Sequence, residues 1–186
     1  MTLFEYLAAA YTLLLSFAVA RLVFGLPSAT LQDRRYWVHL VFVAGFAFLL
    51  AALFWGFWSL HDVAWTFPRF LLILSVPVLA LLMASTLIPG SPDNVESWRD
   101  FYYSVRLTYF SAWIVLSFLL VITSTVLVDM PFTHPARLAE LTLVAIGVVG
   151  VSSSNPRVHG AMAICTIGLT AFASSVVFFE PGSLAR

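Results

Sequence analysis

The sequence predicts an all-α integral membrane protein, a polytopic bundle of six transmembrane helices that forms a single domain over residues 1–186. Composition is the first indication. Hydrophobic residues make up 61% of the chain and charged residues 10%, with a mean hydropathy of +0.98, so the polar residues are too few to cover a soluble globule. The second indication is the grouping of apolar residues into runs of about 20, the length that crosses about 30 Å of hydrocarbon.

Six such runs follow one another, and polar turns separate them. The predicted spans are 3–26, 36–60, 69–89, 105–128, 136–154 and 158–179. Each turn contains Pro, Gly, Asn or Asp beside the few charged residues, as helix ends require. No turn exceeds about 16 residues, which leaves no room for a soluble domain.

The first run occupies the place of a secretory signal, but no cation lies in its first residues and it stays apolar beyond a typical signal core, so we expect a retained helix. Six spans put both termini on one side. The arginines of that side are Arg69, Arg137 and Arg186, and those of the other are Arg21, Arg34, Arg35, Arg99, Arg106 and Arg157. The excess predicts that the second side is cytoplasmic and the termini are outside. Short loops and arginine-only cations favour a bacterial inner membrane.

The connection between the third and fourth spans is longer than a turn needs. Ser91, Pro92 and Asp93 form the pattern of an N-cap, a first-position proline and an acid at the positive helix end. A helix from Pro92 to Val128 would be about 55 Å long, more than the hydrocarbon can hide. Residues 91–104 are therefore predicted as an interfacial helix, on the membrane surface or against another subunit. The apolar side of this segment holds Trp98, Phe101, Tyr102, Val105 and Tyr109.

Three ionisable residues and one proline within the spans are candidates for a pore or substrate path. The ionisable residues are candidates because charged groups in hydrocarbon cost free energy and tend to serve a function. Arg21 lies near enough to its helix end to reach the headgroups, and Arg106 lies at the start of the fourth span. Glu140 is spaced to pair with Arg137. Pro77 removes one backbone hydrogen bond from the third helix. Headgroup contact, local pairing and helix packing are the structural alternatives for these residues.

Small residues follow one face of the sixth helix at spacings of three and four. They are Ala161, Cys165, Gly168, Ala171 and Ser175. Such a stripe permits close helix packing, and it also lines narrow conduits. Cys165 is the only cysteine, so an intrachain disulfide and a redox pair are excluded.

The four histidines fall into two pairs at opposite ends of the spans. His39 and His159 belong to the predicted cytoplasmic end, and His61 and His134 to the other. Two bis-histidine haems would bridge a membrane in this arrangement. Because His39 and His61 are about 33 Å apart on one helix, both lie at the interface, where local hydrogen bonding is the alternative. No cofactor is predicted on balance.

Aromatic residues cluster where helices leave the membrane, above all in FWGFWSLHDVAW at residues 54–65. Membrane proteins place such rings at headgroup depth. The predicted interface belt consists of Tyr36, Trp37, Trp55, Trp58, Trp65 and Trp98. An aromatic cage for a cation is the alternative, and it requires rings that face inward.

Several classes of function are excluded. All nine cations are arginine and the net charge is zero, so neither nucleic-acid binding nor lysine Schiff-base chemistry is expected. The sequence contains no zinc-protease, nucleophile-elbow, phosphate-loop or potassium-filter motif. We expect a channel or small transporter for an ion or small solute that forms a homo-oligomer in the lipid bilayer. An assembly subunit of a larger membrane complex and a haem electron-transfer protein are the alternatives.

Overall fold

The computed structural model describes residues 3–30, 35–177 and Leu184, and within them it contains helices and no strands. These residues include six helices long and apolar enough to cross a membrane, as predicted. Short 3₁₀ turns follow α2 and precede α4, and a π-helical turn follows α6. The helices are α1 (Leu3–Thr30), α2 (Trp37–Gly56), α3 (Phe67–Leu87), α4 (Trp98–Val126), α5 (Pro135–Ser152) and α6 (Pro156–Phe172).

Most helix boundaries lie within a few residues of the predicted ones, but α6 ends at Phe172, where a π-helical turn follows, and α1 and α4 also differ. α1 continues through Pro27 to Thr30. The helix expected from Pro92 does not form as one piece, because residues 92–94 make a separate 3₁₀ turn and Ser97 caps α4 by accepting a hydrogen bond from the Asp100 amide. Arg34, Arg186 and the last two residues of the sixth predicted span lie outside the described residues.

Successive helices run in opposite directions, which defines two ends of the bundle. At the amino-terminal end, the ring of Phe4 lies 5.3 Å from that of Phe57 and 6.1 Å from that of Trp58. At the distal end, the indole of Trp98 donates to the carbonyl of Ser28 at 3.0 Å. The amino-terminal end holds residue 3 and the connections 61–66 and 127–134, and the distal end holds 35–36, 88–97 and 153–155.

The closest helix pairs are α4 with α5 and α1 with α3. Two glycines let α5 approach α4. A Cβ at Gly147 would lie 2.6 Å from Cγ1 of Ile114, and a Cβ at Gly150 would overlap the ring of Phe110. Small residues at such contacts let helix backbones come together, which is the main source of close packing between apolar helices.

Large aromatic side chains fill the distal half of the bundle. We term Phe42, Phe46, Tyr102, Tyr109 and Phe110 the aromatic layer; each is at most 1% exposed. Their ring centroids lie 5.1 to 6.4 Å apart in edge-on and stacked pairs, for example 5.2 Å between Phe42 and Phe110. These separations are typical of favourable aromatic contacts. The distal half is therefore closed by packed rings.

Candidate functional site

A cavity of about 150 Å³ lies among α2, α4, α5 and α6 in the amino-terminal half of the bundle, with Tyr11 of α1 and Ile73 and Val76 of α3 in its wall. Its wall begins at Gly45 on α2, Trp113 on α4 and Thr166 on α6, and continues from each toward the amino-terminal end. None of the aromatic layer residues lines it. A cavity of this order accommodates a molecule the size of one aromatic ring. The bundle is thus hollow toward one end and filled toward the other.

The cavity wall is mainly aliphatic and aromatic, with a few polar groups. Glu140 of α5 contributes a carboxylate, and Thr123 and Ser124 of α4 contribute hydroxyls. The Thr123 side chain is 8% exposed, and its hydroxyl has no hydrogen-bond partner among the described residues. A buried hydroxyl without a partner costs free energy that a ligand or water in the cavity would offset.

Glu140 is held by a buried ion pair with Arg137. Nη1 of Arg137 donates to Oε2 of Glu140 at 2.7 Å, and the two side chains are only 6% and 13% exposed. The same guanidinium donates to Oγ of Ser124 at 2.8 Å and to the carbonyl of Met130 at 2.7 Å. The predicted local pairing of these two residues is therefore present. Because the Oε1 atom of Glu140 accepts no hydrogen bond from the described residues, the carboxylate keeps one acceptor for a molecule in the cavity.

Arg106 does not line the cavity. Its Nη1 donates to the carbonyls of Gly150 at 2.9 Å and Val151 at 3.0 Å, and also to that of Ser153. These carbonyls end α5 and have no helical partner of their own. The structure therefore places Arg106 as a cap on a neighbouring helix.

The distal histidines are buried inside the bundle, each within the first turn of its helix. The hydroxyl of Tyr102 lies 2.6 Å from Nδ1 of His159, and Nε2 of His159 lies 2.8 Å from the Ser153 carbonyl. Since a carbonyl only accepts, Nε2 carries the hydrogen and Nδ1 accepts from Tyr102. His39 stacks on Trp98 at 4.9 Å and lies edge-on to Tyr102 at 6.1 Å. Both nitrogens of His159 are thus engaged, which disfavours its pairing with His39 on a haem.

Each histidine of the other predicted pair makes a local contact. His61 is 53% exposed, and its Nδ1 lies 2.7 Å from Oδ1 of Asp62. His134 is the N-cap of α5, where its Nδ1 accepts from the Ala136 amide at 3.1 Å. No group of three or more metal-ligating side chains occurs among the described residues.

The remaining path candidates lie in α1, α3 and α6. Arg21 reaches the distal connection beside Gly90. Pro77 is buried in α3, and the carbonyl that a proline there leaves without a partner belongs to Ile73, a residue of the cavity wall. The small-residue stripe faces outward, because Ala161, Cys165, Gly168, Ala171 and Ser175 are all exposed. It does not line the cavity.

The predicted aromatic belt divides into outward and inward residues. The exposed members are Trp37, Trp55 and Trp58, and the half-buried members are Tyr36 and Trp65. Trp98 is fully buried in the core instead, where it meets α1 and α2. Trp58 stacks on His61 at 5.7 Å with an interplanar angle of 16°, which leaves no space between these rings for a cation.

Tyr36 makes a polar contact at the distal end. Its hydroxyl lies 3.2 Å from that of Tyr103. Burial raises the pKa of Tyr36 above its ordinary value, and the hydrogen bond with Tyr103 raises the pKa further. The phenol therefore stays protonated at neutral pH and can take part in this bond as donor or acceptor.

Sequence reasoning did not identify Tyr11, Trp113 or Tyr102 as site residues. Tyr11 and Trp113 line the cavity, and Tyr102 fixes the tautomer of His159. The sequence did show a Tyr or Trp inside an apolar span at each of these positions. Because buried Tyr and Trp usually find a hydrogen-bond partner for their O–H or N–H, such residues indicate a polar contact inside the bundle. Comparison with known protein families, with curated proteins and with solved structures finds no match to this chain.

Proposed function

We propose that the protein is a small multi-pass membrane transporter for an amphipathic organic solute, with an apolar body about the size of one aromatic ring and a hydroxyl or amino group. The observation that carries the proposal is the cavity with one free carboxylate oxygen, on Glu140, and one unpartnered hydroxyl, on Thr123. Ligand sites are typically apolar with a few placed polar groups of this kind. The apolar wall favours a solute over an inorganic ion, because a desolvated ion is costly there.

The arrangement of the two halves supports transport over simple binding. The cavity occupies only the amino-terminal half, and the aromatic layer fills the other half between it and the distal end. In an alternating-access cycle the site opens to one side at a time while packed side chains close the other. We assign the aromatic layer as the closed distal gate in this conformation.

Uptake of radiolabelled benzylamine by proteoliposomes, compared with protein-free liposomes, tests the proposal in acidic buffer, where the freely permeating neutral amine is scarce and the ammonium form crosses lipid slowly. Ala139→Leu places a larger side chain in the cavity wall, whereas Ala145→Leu makes the same change at an exposed position of α5. We expect Ala139→Leu to reduce uptake at least tenfold and Ala145→Leu to leave it within twofold. Equal rates for both variants, or no protein-dependent uptake at all, would contradict a transport cavity.

The polar groups of the site have a separate test. A crystal soaked with 4-bromobenzylamine should place an anomalous bromine peak in the cavity, and one soaked with 4-bromotoluene, which lacks the donor, should give a much weaker peak. Thr123→Val removes the unpartnered hydroxyl with little change in shape and should weaken the first peak. Thr142→Val is the matched control, because the Thr142 hydroxyl donates within its own helix, to the Leu138 carbonyl.

We further propose that the transporter is a homo-oligomer that associates through the small-residue stripe of α6. The five stripe residues are exposed, and a Cβ at Gly168 would meet nothing within 4 Å. Close packing of helices in lipid uses such surfaces. Oxidation in native membranes should join two copies through Cys165, the single cysteine, which is exposed on this face. A Cys165→Ala, Val148→Cys variant moves the thiol to an exposed site on α5 and should not cross-link.

The small-residue stripe of α6 also fits a second candidate function, that of a subunit that docks on another membrane protein. The cross-linking experiment separates the two, since a subunit of that kind would give no dimer of this chain at Cys165 or at cysteines placed at 161 and 168. For location, we propose a bacterial inner membrane with the distal end in the cytoplasm. Thiol labelling of a cysteine placed at exposed Arg157 or at exposed Phe132 from outside intact cells would decide the orientation.

A further inference from the structure

Arg21 extends from the middle of a membrane-length helix to the distal end. Its Cα lies about 14 Å before the last residue of α1, Thr30. Nevertheless its Nη2 lies 3.9 Å from the position that a Cβ at Gly90 would take, in the connection after α3. The flexible side chain thus carries the guanidinium to the connection that follows α3, as a snorkelling arginine does.

The guanidinium of Arg21 lacks the hydrogen-bond partners that Arg69, Arg106 and Arg137 have. Arg106 and Arg137 donate to several carbonyls and hydroxyls, and Arg69 donates to the Ala64 carbonyl at 2.7 Å. Among the described residues no ion pair or hydrogen bond engages Arg21, and its Nε is buried without an acceptor. A guanidinium offers five N–H donors in a planar fork, so this group presents unused donors beside the connection after α3.

We propose that Arg21 binds the phosphate group of a membrane lipid headgroup at the distal end of the α1–α3 pair. The fork geometry of a guanidinium matches two phosphate oxygens, and its charge complements theirs. Gly90 is exposed and has no side chain, so a headgroup can approach the guanidinium over it. The carboxylate of Asp93 in the same connection accepts a hydrogen bond from Ser28, about 10 Å further along α1 than Arg21.

Lipid titration of the delipidated protein in detergent tests this site. Phosphatidylglycerol is the probe, diacylglycerol with the same chains lacks the phosphate, and inorganic phosphate lacks the chains. We expect phosphatidylglycerol to raise the Tm of the wild type and to be retained in native mass spectra, while the other two compounds do neither. Equal stabilisation by diacylglycerol would show that the phosphate group is not what the protein recognises. Arg21-dependent stabilisation by inorganic phosphate would show that the bound phosphate does not have to belong to a lipid. Either result would overturn the proposal.

Matched variants separate a specific contact from general charge attraction. Arg21→Gln should weaken phosphatidylglycerol binding at least tenfold, whereas Arg157→Gln, which removes an exposed arginine at the same end, should change it less than twofold. Arg21→Lys keeps the charge but loses the planar fork of donors, and it should bind phosphatidylglycerol about threefold more weakly than the wild type. This variant tests the site if Arg21→Gln does not fold. Unchanged binding in the Arg21 variants, or an equal loss in Arg157→Gln, would overturn the proposal.

Discussion

Arg106 caps the carboxyl end of α5, and Arg137 in turn bonds the last turn of α4, at the Ser124 and Thr125 hydroxyls, and the segment after it. Arg106 in α4 donates to the carbonyls of Gly150 and Val151 in α5, and Arg137 in α5 donates to the Met130 carbonyl, just beyond the end of α4. The exchange is reciprocal because the two helices are antiparallel. Terminal carbonyls are unpaired and carry the negative end of the helix dipole, so a cation there is stabilising.

Replacing Arg137 should destabilise the protein strongly. Arg137→Met leaves the Glu140 carboxylate buried without its cation, and breaking a buried pair on one side typically costs about 3–5 kcal/mol of unfolding free energy. The double variant Arg137→Met, Glu140→Leu removes both charges and should recover part of the loss. Reversible unfolding in mixed micelles measures the free energies.

The double variant tests whether the unpaired Glu140 carboxylate is the cause of the lost stability. If it were less stable than Arg137→Met alone, the unpaired carboxylate would not be the source of the loss. Arg157→Met removes an exposed arginine and should change the unfolding free energy by no more than about 0.5 kcal/mol.

Arg106→Gln should loosen the end of α5. The variant loses charged hydrogen bonds to three carbonyls, and hydrogen bonds of this kind contribute about 1.5–3 kcal/mol. Amide hydrogen exchange should rise in a peptide that covers 146–156, and Arg106→Lys should give an intermediate rate. Arg99→Gln changes an exposed arginine of the same helix and should leave this peptide unaffected. Loss of solute uptake without faster exchange would instead assign Arg106 to the transport path.

Two helical glycines should respond oppositely to alanine. Gly147→Ala puts a methyl group 2.6 Å from Ile114 Cγ1 and 3.3 Å from the Ile114 amide nitrogen, so α4 and α5 must separate. Overpacking of this kind costs about 1–3 kcal/mol. Gly168→Ala meets nothing within 4 Å and should stabilise the helix by at most about 1 kcal/mol. Thermal unfolding of the monomer checks both, and a large loss in Gly168→Ala would refute its exposed position.

The number and position of the helices were predictable, because apolar length is a property of each segment by itself. The predicted limits 69–89 and 136–154 differ from the observed helices Phe67–Leu87 and Pro135–Ser152 by one or two residues. The start of α4 was not predictable in this way. Two serines, Ser91 and Ser97, offer N-caps, and the choice between them depends on contacts with other helices.

The sequence shows which types of side chain are present in the spans, but not which neighbours most of them contact. Trp98 and Tyr102 have the spacing of an interfacial face, yet both are buried because α1, α2 and α6 cover them. The small-residue stripe of α6, which contains Gly168, could face the inside or the outside of the bundle. Periodicity shows that the residues share one face of the helix but not what that face contacts. Glu140 and Arg137 form a pair at a spacing of three, which is local and was therefore predicted.

His39 and His159 are both fully buried, and their replacement by phenylalanine should nevertheless have opposite effects. His159→Phe leaves the buried Tyr102 hydroxyl without its acceptor, at a cost of about 1–3 kcal/mol, whereas the Ser153 carbonyl loses the imidazole but still accepts from Arg106. Phe at 39 keeps a ring stacked on Trp98 and removes two nitrogens that have no partner among the described residues.

His39→Phe should therefore be neutral or stabilising, whereas His159→Phe should lower the unfolding free energy, as measured by denaturation in the same micelles. Tyr102→Phe should reproduce much of the His159→Phe loss, because it breaks the same hydrogen bond from the other side. Tyr103→Phe, which breaks the longer 3.2 Å contact with half-buried Tyr36, should cost less. A loss in His39→Phe as large as that in His159→Phe would contradict this prediction, because it would mean either that the larger ring does not fit beside Trp98 or that the His39 nitrogens hold a water or ligand in the folded protein.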